Sequence, residues 1–326
     1  MLDRRKGLWI GLAVLVLVLG LRVGSAVVGW RADGPLPRAT AFLVPEGANL
    51  VTISTKLQAE GAITSAKQFR LRARILGSST AIKAGEYELP AHASEARVLA
   101  VLTGGDTLNR FVLVPEGMPA AMVYDRLMAR TLLSGPVTVP AEGSVLPDSY
   151  AFERGEPRAV VLSRMQAAMA RTLQTLWAKR AADTVARTPR EAVILASIVE
   201  KETGKPSERA MVAGLYSNRL RQKMLLQADP TIIYPITAGK PLGRRIRQSE
   251  IQAVNGYNTY TMVGLPQGPI TNPGKASIEA VLHPAHTQAL YMVADGTGGH
   301  VFADTLEQHN ANVAKWFALR RARGEI

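Results

Sequence analysis

The sequence contains no cysteine. That excludes disulfides, cysteine zinc sites and a thiol nucleophile, and it is compatible with an oxidising compartment. Nucleotide-binding and serine-hydrolase fingerprints are missing too: there is no P-loop, no Rossmann glycine pattern and no Gly-x-Ser-x-Gly elbow. His283-Pro-Ala-His286 hints at a metal, but no acidic partner stands at a zincin spacing from it. No metal or cofactor is therefore expected. The net charge is +13, yet no long Lys/Arg block occurs, only clusters such as Arg244-Arg245-Ile246-Arg247 and Arg320-Arg321-Ala322-Arg323. No nucleic-acid module accompanies them. Nucleic acid is not an expected partner; an anionic membrane surface or anionic polymer fits diffuse positive charge.

Long apolar runs are scarce, with one exception. Residues 8–30 are about as long as a bilayer-spanning helix needs, roughly 20 residues. Arg4, Arg5 and Lys6 precede this run, so the positive-inside rule leaves residues 1–7 as a cytoplasmic tail and exports the rest. Trp9 and Trp30 stand near the two ends, where interfacial indoles are favoured. Arg22 lies off-centre and can snorkel outward. The alternative, a signal peptide cleaved near Gly24-Ser25-Ala26, exports the same chain. The expected location is the inner (cytoplasmic) membrane, single-pass, with a periplasmic domain.

Residues 31–40 read as a linker rich in turn formers. A strand over 41–44, helices over 50–60 and from Ser65 to about 75, a strand over 85–89 and a helix capped by Ser94 follow. The phrase Leu-Val-Pro-Glu-Gly occurs at 43–47 and again at 113–117, each time where a strand should turn into a helix. Residues 142–152 read as a loop holding aromatics near the surface, and a long amphipathic helix follows over 157–182. Thr188-Pro-Arg-Glu191 is a capping box with proline at the first helical position. Its helix runs through AVILASIVEKET to Gly204, a C-terminal signal. A further helix covers 208–223. Beyond it glycine, proline and threonine become frequent, with a strand-like run at 289–294. The class is α+β with functional loops.

The chemistry is sought at the end of the capping-box helix. Leu195, Ile198 and Val199 form part of an apolar stripe, and Glu202 continues it, seven, four and three residues on. A carboxyl beside apolar surface, at the negative end of a helix dipole, favours its neutral form. Such a group suits general-acid work at neutral pH. Glu200 is rotated away, nearer Val193 and Ser197. Gln227, Asp229 and Thr231 gather at a proline-marked turn close to Tyr234, and Tyr257, Asn258 and Tyr260 form a second polar–aromatic cluster. Amides and hydroxyls beside rings are the equipment of sugar recognition.

The phrases ASIVEKETG (196–204), ERAMVAGLYSNRL (208–220), LQADPTIIY (226–234), YNTY (257–260), GLPQGPITNPG (264–274), HPAHT (283–287) and LYMVADGTGGHVF (290–302) occur in this order. Together with LPDSY (146–150) they resemble the MltG (YceG-like) family of endolytic murein transglycosylases. The resemblance implies a LysM-like subdomain over 41–105 and a mixed α/β catalytic domain over 106–326. It also implies Glu202 as the catalytic residue and peptidoglycan glycan strands as substrate, with synthases as possible partners. Gln227, Asp229, Thr231, Tyr257, Asn258 and Tyr260 are the expected substrate contacts. Two other readings stay open: a glycan-binding scaffold without catalysis, and a muramidase that adds water to the same bond.

Overall fold

The computed structural model describes residues 4–77 and 81–326; residues 1–3 of the expected cytoplasmic tail lie outside the described residues. The fold is mixed α+β and divides into two compact units, one ending at Arg110 and one running Phe111–Ile326.

The first unit opens with α1 (Arg4–Arg31). From Leu8 onward α1 is long and apolar enough to cross a membrane. Its apolar side chains as far as Val23 are exposed. Trp30 departs from expectation. It is buried, with its ring 5.9 Å from that of Phe69, so this indole belongs to a protein core rather than to a membrane interface. Residues 31–40 are likewise no free linker: Leu36 is buried, and the backbone exchanges hydrogen bonds with His92 at Gly34 and Leu36. Next come β1 (Thr40–Val44), α2 (Leu50–Ala59), α3 (Ala66–Leu76), β2 (Gly85–Leu89) and α4 (Glu95–Gly104). Asn49, Ser65 and Ser94 each accept an amide hydrogen bond from the first turn of α2, α3 and α4, which replaces a partner the helix cannot supply itself. β1 and β2 pair antiparallel with Phe42 opposite Tyr87. Both rings point inward with Ile53, Leu57, Phe69 and Leu102. Truncating a ring such as Phe69 to alanine costs about 3–5 kcal/mol.

In the second unit β3 (Arg110–Leu113) leads into α5 (Ala120–Met128), and β4 (Ser149–Phe152) pairs with β3. The 142–152 segment is thus partly strand, and Phe152 is buried with Val112, Leu127 and Met165 rather than held at the surface. The two Leu-Val-Pro-Glu-Gly phrases do share one geometry: Gly47 and Gly117 have φ +69° and +72°, and a helix starts three residues later in each case. Positive φ is what glycine supplies at such corners.

A second core gathers around α7 (Pro189–Glu202), packed by α6 (Arg158–Ala178), α8 (Arg209–Arg221) and α11 (Lys275–Leu282). Thr188 caps α7 by accepting from the Glu191 amide, while Glu191 accepts from Arg187 rather than from the cap residue itself. Residues 192–199 are all buried, so α7 is enclosed on every side instead of along one stripe. It ends at Glu202 with an extended cap at Thr203, short of Gly204. The proline-marked turn at 229 is the start of a helix, α9 (Asp229–Thr237), with proline in its first turn. α10 (Gln248–Ile251), the antiparallel hairpin β5 (Tyr291–Ala294) and β6 (His300–Ala303), and α12 (Leu306–Ala322) complete the unit.

Candidate active site

Glu202 is the last residue of α7 and lines a cavity of about 350 Å3. α8 contributes Leu215, Tyr216 and Arg219. The connection into α9 adds Leu226, Gln227 and Asp229. Tyr260, the β5–β6 hairpin and His309 of α12 complete the lining.

Burial drives the protonation of Glu202. Its Oε1 is shut off from solvent with no hydrogen-bond partner among the described residues. Desolvation pushes its carboxyl up to about 7, opposed by a hydrogen bond from Tyr216, assisted by the negative charge of Asp229 and opposed by Arg219. An unmatched carboxyl in such a place keeps its proton near neutrality and is ready both to give and to take one.

The surroundings are tied together by hydrogen bonds. Arg219 is buried; its Nε donates to Leu290 O at 2.7 Å and its Nη1 to Leu226 O at 2.8 Å and Leu225 O at 3.1 Å. The guanidinium thus fixes the chain entering α9 while influencing Glu202 only from a distance. Gln227 has φ +54°, a left-handed conformation that side-chain-bearing residues rarely adopt. Its amide donates to Thr259 O, and its side-chain oxygen accepts from Arg219 at 3.4 Å. Tyr260 donates to Asp229 Oδ1 at 2.5 Å.

Of the residues expected at the site, Glu202, Gln227, Asp229 and Tyr260 meet in this cavity. Thr231, Tyr257 and Asn258 do not line it. Thr231 is fully buried and shares its hydroxyl with Ala228 O and Thr259. Asn258, also fully buried, spends Nδ2 on the carbonyls of Ile251 and Ala253. Tyr257 packs against Tyr234 with ring centroids 4.8 Å apart and the rings tilted by 49°, and the two hydroxyls interact beside Glu142. Polar residues next to aromatics signalled a site; here they close a loop. Tyr216, Arg219, His300 and His309 also line the cavity, beyond the residues expected there. A signal for two of them exists: Val212, Leu215, Tyr216 and Arg219 repeat the i, i+3, i+4, i+7 spacing that led to Glu202.

Glu200 follows a different course from Glu202. Its Oε2 accepts from the Gly274 amide at 2.9 Å and from Ser277 Oγ at 2.7 Å, and Arg209 lies 3.8 Å from its Oε1. Gly274 caps α11 without a side chain, so Glu200 supplies the negative charge that a helix N-terminus prefers.

No group of three or more possible metal ligands occurs among the described residues. The cleft is mostly polar and holds one buried carboxyl with an unpartnered oxygen. The scaffold that holds this candidate site is α+β. The chain belongs to the YceG-like family, whose model matches residues 42–315. It is 28% identical over 312 residues to the endolytic murein transglycosylase of Bacillus subtilis, covering 85% of this chain and 84% of that one. It is also 28% identical to the endolytic murein transglycosylase of Streptococcus pneumoniae, covering 83% of this chain but 57% of that longer protein. The crystal structure of a yceG-like protein from Listeria monocytogenes, lmo1499, superposes with a TM-score of 0.53 at 25% identity. That match covers 84% of this chain and 99% of the other.

Proposed function

We propose that the protein is a membrane-anchored endolytic lytic transglycosylase that cuts peptidoglycan glycan strands, with Glu202 as both acid and base. The observation that carries this reading is Glu202 itself: a buried carboxyl, one oxygen unpartnered, raised to about 7 at the head of a cleft. The family and the names of its relatives supply the substrate class.

In the reaction, neutral Glu202 protonates the oxygen linking MurNAc to GlcNAc, and the GlcNAc side leaves as an alcohol. The carboxylate so formed takes the proton of the MurNAc C6 hydroxyl, whose oxygen bonds to C1 and gives 1,6-anhydroMurNAc. No water is consumed. Intramolecular attack profits from a high effective concentration of nucleophile. Gln227, Asp229 and Tyr260 position the strand. Thr231 and Asn258 support them through the loops they tie down, and Tyr257 through its contact with Tyr234.

The β-α-α-β order of β1, α2, α3 and β2 supports a LysM-like, glycan-holding role for residues 41–105, with 106–326 as the catalytic domain. The basic residues at the start of the chain favour a cytoplasmic N-terminus, which leaves the chain beyond α1 in the periplasm beside wall synthases.

A hydrolase is the second reading, because Asp229 is the other carboxyl lining the cleft and hydrolases of this bond use two. Mass spectrometry of products from purified peptidoglycan decides between them. Full-length wild type should release anhydro-ended fragments and Glu202→Gln none. Reducing ends would establish the muramidase, and intact binding without cleavage by the wild type would establish a scaffold.

A further inference from the structure

Glu202, Gln227, Asp229 and Tyr260 account for one part of the cleft. The β5–β6 hairpin supplies another part, and it brings a histidine for which the reaction above has no use. We infer that His300 is a further substrate-contacting residue of this cleft, held in one tautomer by Glu208 so that its Nε2 accepts a hydrogen bond from a glycan hydroxyl. The inference rests on the glycan-cleaving reading and names a second group of the same site.

His300 opens β6 and lines the cavity with Glu202. Its Nδ1 lies 2.8 Å from Glu208 Oε2, and its backbone amide donates to Glu208 Oε1 at 3.1 Å. Burial pushes the Glu208 carboxyl up, but hydrogen bonds from the His300 ring, the His300 amide and Thr203 outweigh it and hold Glu208 below its ordinary value. Glu208 is therefore a carboxylate at neutral pH, and a carboxylate can only accept. The shared hydrogen must sit on Nδ1. Neutral imidazole then offers a lone pair on Nε2, and Nε2 has no partner among the described residues.

The pair is well fixed. Thr203 Oγ1 donates to Glu208 Oε2 at 3.2 Å, and Lys205 Nζ lies 3.9 Å from Oε1. Thr203 directly follows Glu202, so the group that orients His300 is tied to the end of the helix that carries the acid. A side chain at position 299 would press on the ends of Glu208 and Lys205 and displace them. A carboxylate that fixes an imidazole and leaves its far nitrogen open is a recurrent way of aiming that nitrogen at a ligand. The competing use is purely structural: Glu208 pins the hairpin, and any donor in the place of Nδ1 would do.

The two uses differ in which nitrogen matters. His300→Asn keeps an amide nitrogen close to the place of Nδ1 and removes Nε2. In full-length protein, His300→Asn should lower kcat/KM on purified glycan strands about tenfold or more while leaving the thermal unfolding temperature unchanged. A variant with wild-type kcat/KM would overturn the inference. Folding of the variant is taken out of the question by a second measurement on the native histidine. In full-length Glu202→Gln protein with 15N-labelled histidine, uncrosslinked glycan strands should shift the His300 Nε2 signal and leave Nδ1 in place. An unmoved Nε2 signal on saturation overturns the inference in the same way. Cleavage by Glu202→Gln would instead sink the reading of Glu202 as the acid, and the two failures are thereby told apart.

Discussion

Glu200 and Glu202 stand two residues apart at the end of α7, and both carboxyls are buried, yet only Glu202 keeps an oxygen without a partner. Glu200 accepts from Gly274 and Ser277 and faces Arg209, whereas Oε1 of Glu202 has no partner. Loss of the matched group should therefore harm the fold and loss of the unmatched one the chemistry. Glu200→Ala leaves the Gly274 and Ser277 donors unanswered, a cost of about 1–3 kcal/mol for each buried group, while Arg209 keeps Glu116 at 2.9 Å. Glu202→Gln should leave stability equal or higher and lower kcat by at least the 10²–10⁴-fold typical of a general acid. Urea unfolding and a turnover assay on the same two proteins check the pair. A Glu200→Ala variant that is stable but inactive would reverse the assignment.

The pH profile should carry the signature of Glu202. Because the neutral form donates the proton and the carboxyl is raised to about 7, kcat/KM should fall tenfold per pH unit above about 7. The neighbours move that limb in opposite directions. Tyr216 holds the value down by hydrogen bonding, so Tyr216→Phe should displace the limb to higher pH. Asp229 holds it up by charge, so Asp229→Asn should displace it to lower pH. Profiles of kcat/KM for the three proteins test this, and equal limbs would mean that another group titrates.

Much of this site was readable from spacing. Leu195, Ile198, Val199 and Glu202 define a stripe that ends in a charge, and Val212, Leu215, Tyr216 and Arg219 define a second with the opposite charge. Each helix alone reveals that its last member is drawn inward. The facing of the two stripes, which brings Tyr216 and Arg219 to bear against the burial that raises Glu202, depends on tertiary packing and leaves no mark on either sequence. The same limit explains Thr231 and Asn258. Local composition places polar groups beside rings, but cannot say whether those groups face a ligand or the neighbouring backbone. Trp30 shows it again, because an indole at the end of an apolar run suits a membrane interface and a protein core equally well.

Glu142 offers a stability test outside the cavity. Desolvation raises it to about 7 against hydrogen bonds from the Ala120 amide, Tyr234 and the Gly143 amide. From about pH 4.5 to about pH 7 the folded state keeps a proton that the unfolded chain has released. Stability thus falls as pH rises through that window and levels off above it. Glu142 contributes at most about 3 kcal/mol to the fall, taking 1.36 kcal/mol per unit. Glu202 adds a second loss of the same sign, so Glu142→Gln should reduce the pH dependence by about half and raise stability at pH 8. Its amide oxygen can still accept from Ala120. Urea unfolding at pH 5 and pH 8 measures the difference, and an unchanged dependence would show that Glu142 is ionised in the folded protein.

Asn258 tests how the loop supports the cleft. Its Nδ2 donates to Ala253 O at 2.7 Å and Ile251 O at 2.9 Å, and its Oδ1 accepts from the Tyr260 amide at 3.0 Å. Tyr260 in turn donates to Asp229, so one buried amide orients the ring that reaches the cleft. Asn258→Asp keeps size and shape but turns a donor into an acceptor facing carbonyl oxygens. The variant must protonate or open the loop, and it should lose about 2–4 kcal/mol in urea unfolding. Glycan binding should weaken with it, because Tyr260 loses its anchor. If binding fell while stability stayed at the wild-type level, Asn258 would be acting on the glycan directly, and the loop rather than the cavity floor would be the surface that holds the strand.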